Sequence, residues 1–351
     1  MSAAELATRL TRDYGVRYPF VGAGMGFVAH PELVAAVTNA GGLGVLGASP
    51  DPPPSLQVMV EELRRLTSGP WGVDLICADT GMGPATTPEH IELCVDLGVS
   101  LVVFHHDVPP REWVERLLGA GARVWMQASS LSIAASALEL GAVGIVAQGV
   151  EAGGHSRSTV PVLELVRGLR ERYPDLLVLA AGGIADGAGV AAALQAGADG
   201  VWVGTRLVAS AEAFAHPEYK WRLVEFSGSV STTAYGPEWP GQPYRLLPVR
   251  NVREWAGREH EVPSPPPGPD VIGRTRLFPH SADQPYEMPK FSAVIPTPPT
   301  TGDWEEMAFP AGDGVGRITA VQPVAEIVEE MMSGARAALG DQSASPGSPS
   351  T

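Results

Sequence analysis

The stretch VAQGVEAGGHSRS, residues 146–158, sets one imidazole, His155, directly behind the glycine pair Gly153 and Gly154 and close behind an apolar run. An imidazole takes up or gives a proton near neutral pH, which suits it to general acid or base work. The two glycines bare the main chain so that a flat ring can approach it, and Gln148, ending the apolar run, offers an amide to polar ring edges. Two more glycine clusters suit an anion. Gly182 and Gly183 (AAGGIADG) follow the run LLVLAA, and Gly204 and Thr205 (VWVGTRL) follow GVWV. Without Cβ atoms such segments bring N–H groups to phosphate oxygens, and the Thr205 hydroxyl adds a donor. A cofactor anchored there by phosphate could lay its reactive ring against His155.

Other chemistries find less support. His105 and His106 follow the run SLVVF, and because side chains alternate along a strand, at most one of them is expected to face the same rim. Neither H-E-x-x-H nor a Cys/His ligand spacing occurs, so no metal is expected. There is no G-x-S-x-G for an acyl nucleophile and no G-x-x-x-x-G-K for a nucleoside triphosphate. Trp202, Trp239, Trp304 and Tyr244 are aromatic candidates for a pocket wall, although such side chains more often pack in cores.

These groups lie far apart in sequence, and the elements between them must bring them together. Eight apolar runs (YPFVG, LGVLG, WGVDLI, SLVVF, ARVWMQ, VGIVAQ, LLVLAA, GVWVG) alternate with eight helical patterns, the last being TRLVASAEAF. Continuous apolar runs joined by helical crossovers read as parallel strands buried on both faces. Glycine ends most of the helical patterns, where a left-handed position favours it. Eight such units in about 190 residues predict a closed (β/α)8 TIM barrel, with an open doubly wound sheet as the alternative. Working residues then sit where strands end. Gly42, Gly44 and Gly47 satisfy G-x-G-x-x-G, but they leave a helix and enter a strand, the reverse of a dinucleotide-binding turn, and read as packing glycines.

The alternation predicts a barrel over 1–213. Residues 214–316, rich in Pro, Gly and Trp, read as a long irregular lid region folded over it. A C-terminal helix is expected over 317–339 and a disordered tail over 340–351. The 351 residues carry a net charge of −15, which disfavours a nucleic-acid partner. No apolar run is long enough to cross a bilayer, and the N-terminus lacks the apolar core and cleavage site of a secretion signal. Cys77 and Cys94 have no partner at a metal or redox spacing. A cytoplasmic location is expected, without a membrane partner.

The segments GAGMGFVAHPELVAAVTNAGGLGVLGA, WGVDLI, AQGVEAGGHSRS, VLAAGGIADGAGVAAALQAGADGVWVGTRL, GPEWPGQPYR, MPKFSAVIPTPPTTGDWEEM and AGDGVG resemble the nitronate monooxygenase family, formerly called 2-nitropropane dioxygenases. The resemblance covers nearly the whole chain. It implies an FMN-holding barrel with cofactor contacts from Met25, Gly26, Asp74, Gln148, Gly153, Gly154, Gly182, Gly183, Trp202, Val203, Gly204 and Thr205, and His155 as the catalytic base. It further implies that alkyl nitronates, or nitroalkanes, react with O2 to give a carbonyl compound and nitrite. Three residues depart from the family pattern. Asp74 stands where asparagine is usual, Gly24 precedes Met25 where proline is common, and Gly314, behind Asp313, replaces a serine. An ionised Asp74 would disfavour a reduced anionic flavin, so it must be protonated, turned away or countered by a cation. Two other readings remain open: an FMN-dependent NAD(P)H reductase of enoyl thioesters or quinones on the same scaffold, and a flavin- or metabolite-binding protein without turnover.

Overall fold

The computed structural model describes residues 6–49, 51–80, 83–236, 239, 241–262, 270–278 and 284–343. All eight apolar runs become parallel strands: β1 (Phe20–Gly22), β2 (Leu43–Gly47), β3 (Trp71–Cys77), β4 (Leu101–His106), β5 (Arg123–Ala128), β6 (Gly144–Gln148), β7 (Leu177–Ala181) and β8 (Gly200–Val203). Each pairs with its sequence neighbours, and β8 returns to β1 with Val201 opposite Phe20, closing the ring. The closed barrel is therefore the fold.

Period-two alternation splits the strand side chains between two layers. Val21, Val45, Val103, Trp125, Val146 and Leu179 fill the barrel, whereas Phe20, Leu46, Val102, Ile145 and Val178 point outward beneath the helices. The helix Arg9–Tyr14 stoppers the far end: Leu10 enters the inner layer, and buried Trp125 donates its indole N–H to the Tyr14 hydroxyl at 2.6 Å. The other rim, at the C-terminal strand ends, holds a cavity. Helix-ending glycines such as Gly41 and Gly197 have φ of 99° and 102°, as their positions predict.

Gly42, Gly44 and Gly47 are packing glycines. A Cβ on Gly44 would lie 2.2 Å from the Val34 carbonyl oxygen, and one on Gly47 2.2 Å from that of Met25. The eighth helical pattern is shorter than expected, reaching only Thr205–Val208. Buried Arg206 hydrogen-bonds the Ala209 carbonyl and the Gln322 amide oxygen, and Ser210 then bridges to Gln322 as extended chain, so tertiary partners override helical spacing there.

The region 214–316 is less irregular than its composition suggests. It contains the helices Pro217–Glu225 and Arg250–Trp255 and two small antiparallel sheets. One sheet joins Val230–Thr232, Tyr244–Leu246 and Gly154–His155, so the lid is paired directly to the loop that carries His155. The final helix spans Val324–Ser343 rather than 317–339, because Pro323 precedes it and Asp313–Arg317 forms a separate 3-10 turn. It lies on the helix Gly187–Gln195, where a Cβ on Gly187 would come within 2.5 Å of the Ala335 nitrogen. Of the tail expected over 340–351, residues 340–343 continue this helix and 344–351 lie outside the described residues.

Beyond β2, Asp51 is fully buried, and neither carboxylate oxygen has a partner among the described residues. Burial pushes its pKa up to about 7. The folded chain then keeps a proton that an unfolded aspartate loses near pH ~4, so stability falls as pH rises between those values. Asp51→Asn is expected to flatten this dependence, gaining on the order of 2–4 kcal/mol over the wild type in urea unfolding at pH 8 relative to pH 4. Parallel pH profiles for the two proteins would contradict it.

Candidate active site

A cavity of about 310 Å³ opens at the C-terminal rim, floored by Val103 and Val146 of the barrel interior and lined by Gln127 and Ala181 near their strand ends. Met25, Gly26, Asp74, Gln148, Gly153, Gly154, His155, Gly182, Gly183, Trp202, Gly204 and Thr205 all line it. Val203 does not, because alternation turns Trp202 toward the cavity and Val203 into the outer layer. Its carbonyl instead accepts the Ala23 N–H at 2.9 Å. Trp239 and Tyr244 line the cavity, whereas Trp304 packs on His216 with ring centroids 4.4 Å apart.

The loop after β6 is tied at several points before it reaches His155. Gly149 donates to the Ala181 carbonyl at 2.9 Å, Val150 to that of Val160 at 2.9 Å, and the Glu151 carboxylate accepts the Val162 N–H at 3.0 Å. The glycine pair then has two separate causes. A Cβ on Gly153 would lie 2.5 Å from the Gly312 nitrogen, so the lid segment 311–312 demands that glycine rather than a ring in the cavity. Gly154 turns the chain at φ 82°, with nothing within 4 Å of where its Cβ would be. His155 pairs in register with Tyr244, and their rings stack at 4.1 Å and 9°.

The buried Nε2 of His155 has no hydrogen-bond partner among the described residues. Burial, reinforced by His106 and His105, pushes its pKa down to about 3. It is therefore neutral near pH 7, able to accept a proton or, in the right tautomer, to donate a hydrogen bond.

His105 and His106 both reach the cavity, contrary to simple alternation. The reason is local: His106 has φ 79°, a left-handed backbone that swings its side chain to the side His105 already occupies. His105 Nδ1 hydrogen-bonds Asp74 Oδ1, so the carboxylate expected to trouble a reduced ring is paired with an imidazole. Burial raises the pKa of Asp74, and His105 opposes that rise. Gly24 belongs to the same arrangement, since a Cβ there would sit 2.2 Å from Asp74 Cβ. Gly24 and Asp74 pack directly against each other.

On the neighbouring loop after β7, Gly182 and Gly183 have φ of 120° and 67°. A Cβ on Gly204 would meet nothing nearer than Met25 Sδ at 3.6 Å, so this position faces open cavity. Thr205 Oγ1 accepts the Gly312 N–H at 3.0 Å, which leaves the hydroxyl hydrogen to donate elsewhere. Gly312 and Gly314 of the lid complete this wall, and a Cβ on Gly314 would lie 2.5 Å from the Gly183 carbonyl oxygen. Sequence reasoning passed over Gln127 and Tyr219, which also line the cavity. The first had a signal, since ARVWMQ ends in glutamine as VGIVAQ does. Among the described residues no group of three or more His, Cys, Asp or Glu could hold a metal ion.

A closed parallel barrel whose C-terminal rim gathers histidines and glycine loops around one cavity has the architecture of a barrel enzyme. The family profile described as nitronate monooxygenase matches residues 7–334, and the chain belongs to that family; it is an oxidoreductase. It is 32% identical over 306 residues to the nitronate monooxygenase of Pseudomonas aeruginosa, covering 76% of this chain and 85% of that one. It is also 34% identical over 242 residues to (3aS,4S,5R,7aS)-5-hydroxy-7a-methyl-1-oxo-octahydro-1H-indene-4-carboxyl-CoA dehydrogenase of Rhodococcus jostii, covering 69% and 66%. The solved nitroalkane oxidase of Streptomyces ansochromogenes superposes with a TM-score of 0.75 at 28% identity, covering 94% of this chain and 99% of that one.

Deleting one partner of a buried pair strands the other. His105→Ala is therefore expected to cost about 2 kcal/mol in urea unfolding, a figure reduced for the partial exposure of the imidazole. Adding Asp74→Asn to His105→Ala should recover most of that loss. A double variant no more stable than His105→Ala would show that the two side chains are not coupled.

Proposed function

We propose that this protein oxidises alkyl nitronates with FMN and O2, releasing a carbonyl compound and nitrite, in the cytoplasm. The observation that carries the reading is the buried, unpartnered Nε2 of His155 in a cavity also lined by glycine loops. The residues fit a phosphate-bearing planar ring. The open space at Gly204 and the left-handed turn at Gly182 and Gly183 leave main chain bare for a phosphate, and the Thr205 hydroxyl can donate to it. Met25, Gly26, Gln148 and the Asp74–His105 pair would border the ring. FMN, when bound, supplies an electron acceptor for the nitronate, with O2 completing the oxidation.

His155 then holds the substrate. Its neutral imidazole donates from Nε2 to a nitronate oxygen, and the surrounding lack of water strengthens that hydrogen bond. The same low pKa favours nitronates over nitroalkanes. A base whose conjugate acid has a pKa of about 3 gains little by removing a proton from carbon. A nitronate has already lost that proton.

The similarity to a carboxyl-CoA dehydrogenase supports a second reading, a nicotinamide-linked reductase or dehydrogenase acting on thioesters. Anaerobic titration of the purified flavoprotein separates the two. Bleaching by a nitronate with indifference to NADPH is expected, and the reverse result would replace the first reading with the second.

Gly204→Val should fold, since a Cβ there makes only ordinary contacts, with Met25 Sδ at 3.6 Å and Ala23 Cβ at 3.8 Å, yet purify without FMN; full occupancy in the folded variant would move the phosphate elsewhere. Gly183 serves this purpose less well, because its φ of 67° makes any side chain strained. His155→Ala should retain FMN while kcat/KM for a nitronate falls roughly 100-fold or more. In the wild type, kcat/KM reports the free enzyme, so a neutral His155 predicts no inflection between pH 5 and 8 from this group. An inflection near pH ~6.5 that vanishes in His155→Ala would show an ordinary, solvated histidine.

A further inference from the structure

We infer that His106 is a second substrate-binding residue, a hydrogen-bond donor that shares the oxygens of the bound anion with His155. This rests on the nitronate reading and extends it to a residue outside the resemblance.

Three observations carry the inference. First, His106 adopts φ 79°, a conformation that L side chains rarely take. Without it, strand alternation would send the imidazole away from the cavity lined by His105. Such backbone strain persists only where the surroundings enforce it, and it gathers at functional sites. Second, the strain is not offset by a polar contact inside the protein, since the buried Nε2 of His106 has no partner among the described residues. Third, His106 and His155 lie against the same indole: their ring centroids are 4.2 Å and 4.5 Å from that of Trp239. Two unsatisfied imidazole nitrogens thus lie beside one aromatic wall of the cavity.

Burial and then the nearby Arg157 guanidinium push the His106 pKa down to about 4. Arg157 itself forms an ion pair with Asp107, the residue following His106, which fixes that loop to the one carrying His155. Both imidazoles are therefore neutral near pH 7. One neutral donor can satisfy one oxygen of a planar O–N–O group, and two donors on neighbouring loops can satisfy both. The geometry suits a small planar anion better than a single carbonyl oxygen.

A purely structural role for His106, stacking on Trp239 to hold the lid, is separable by substitution. His106→Gly accepts the left-handed backbone freely and removes the ring. His106→Phe keeps an aromatic ring and removes the donor, and phenylalanine tolerates this backbone here, since Phe27 and Phe291 have φ of 66° and 65°.

The probe is nitrate, planar and anionic like a nitronate but without a carbon to oxidise, titrated into FMN-loaded protein and followed by the visible flavin spectrum. Both variants are expected to bind nitrate roughly 10- to 100-fold more weakly than the wild type, the loss of one hydrogen bond to a charged group. The thermal midpoint of His106→Gly should not fall. Nitrate affinities within about twofold of wild type, in a wild-type protein that a nitronate bleaches, would overturn the role of His106 alone. Normal affinity in His106→Phe with loss in His106→Gly would also overturn it, in favour of stacking. A wild-type flavoprotein that no nitronate reduces would overturn the function beneath it.

Discussion

Loss of water around two imidazoles and one carboxylate, gathered where the barrel strands end, sets the terms for the rest of the site. Each group meets it differently. Asp74 keeps a partner in His105. His155 and His106 instead give up their charge, and each retains an unsatisfied nitrogen directed at nothing in the protein. A buried polar atom without a partner is costly, and a ligand that satisfies it recovers that cost on binding. The cavity is in this sense preorganised for oxygen atoms at a defined place.

The glycine loops bear on a different problem. A chain with a net charge of −15 repels phosphate at long range, so any grip on it must be local. Bare main chain at Gly182, Gly183 and Gly204 suits that need. Residues 311–312 lie so close to Gly153 that the loop after β6 cannot carry a side chain there, and the loop after β7 lies so close to Gly314 that the lid cannot carry one at that point. Lid, glycine loops and histidine loop therefore form one packed assembly, in which the short strand Tyr244–Leu246 fixes the height at which His155 enters the cavity.

The barrel was legible because its signal is local: every strand is a run of apolar residues, and helix ends fall at glycines such as Gly41 and Gly197 that take left-handed φ. His155, Gln148 and the glycine clusters were legible for the same reason, as polar or bare residues following those runs. What stayed hidden depends on contacts distant in sequence or on one exceptional backbone angle. His106 broke the alternation rule through its φ, which nothing in SLVVFHHD announces. The pairing of Asp74 with His105 joins two strands, and the glycine at 24 makes sense only once Asp74 lies against it. The early end of the helix at Val208 and the ordered sheets of the lid likewise follow from partners far along the chain.

The central claim is that main chain at Gly182, Gly183 and Gly204, with the Thr205 hydroxyl, grips a phosphate and so positions a ring beside His155. Comparing FMN with riboflavin tests it most directly, because the two differ only in that phosphate. Fluorescence titration of the folded apoprotein should show FMN binding roughly 100-fold or more tightly than riboflavin, as expected for several charge-assisted hydrogen bonds. Equal affinities, or a folded protein that binds neither, would contradict the account.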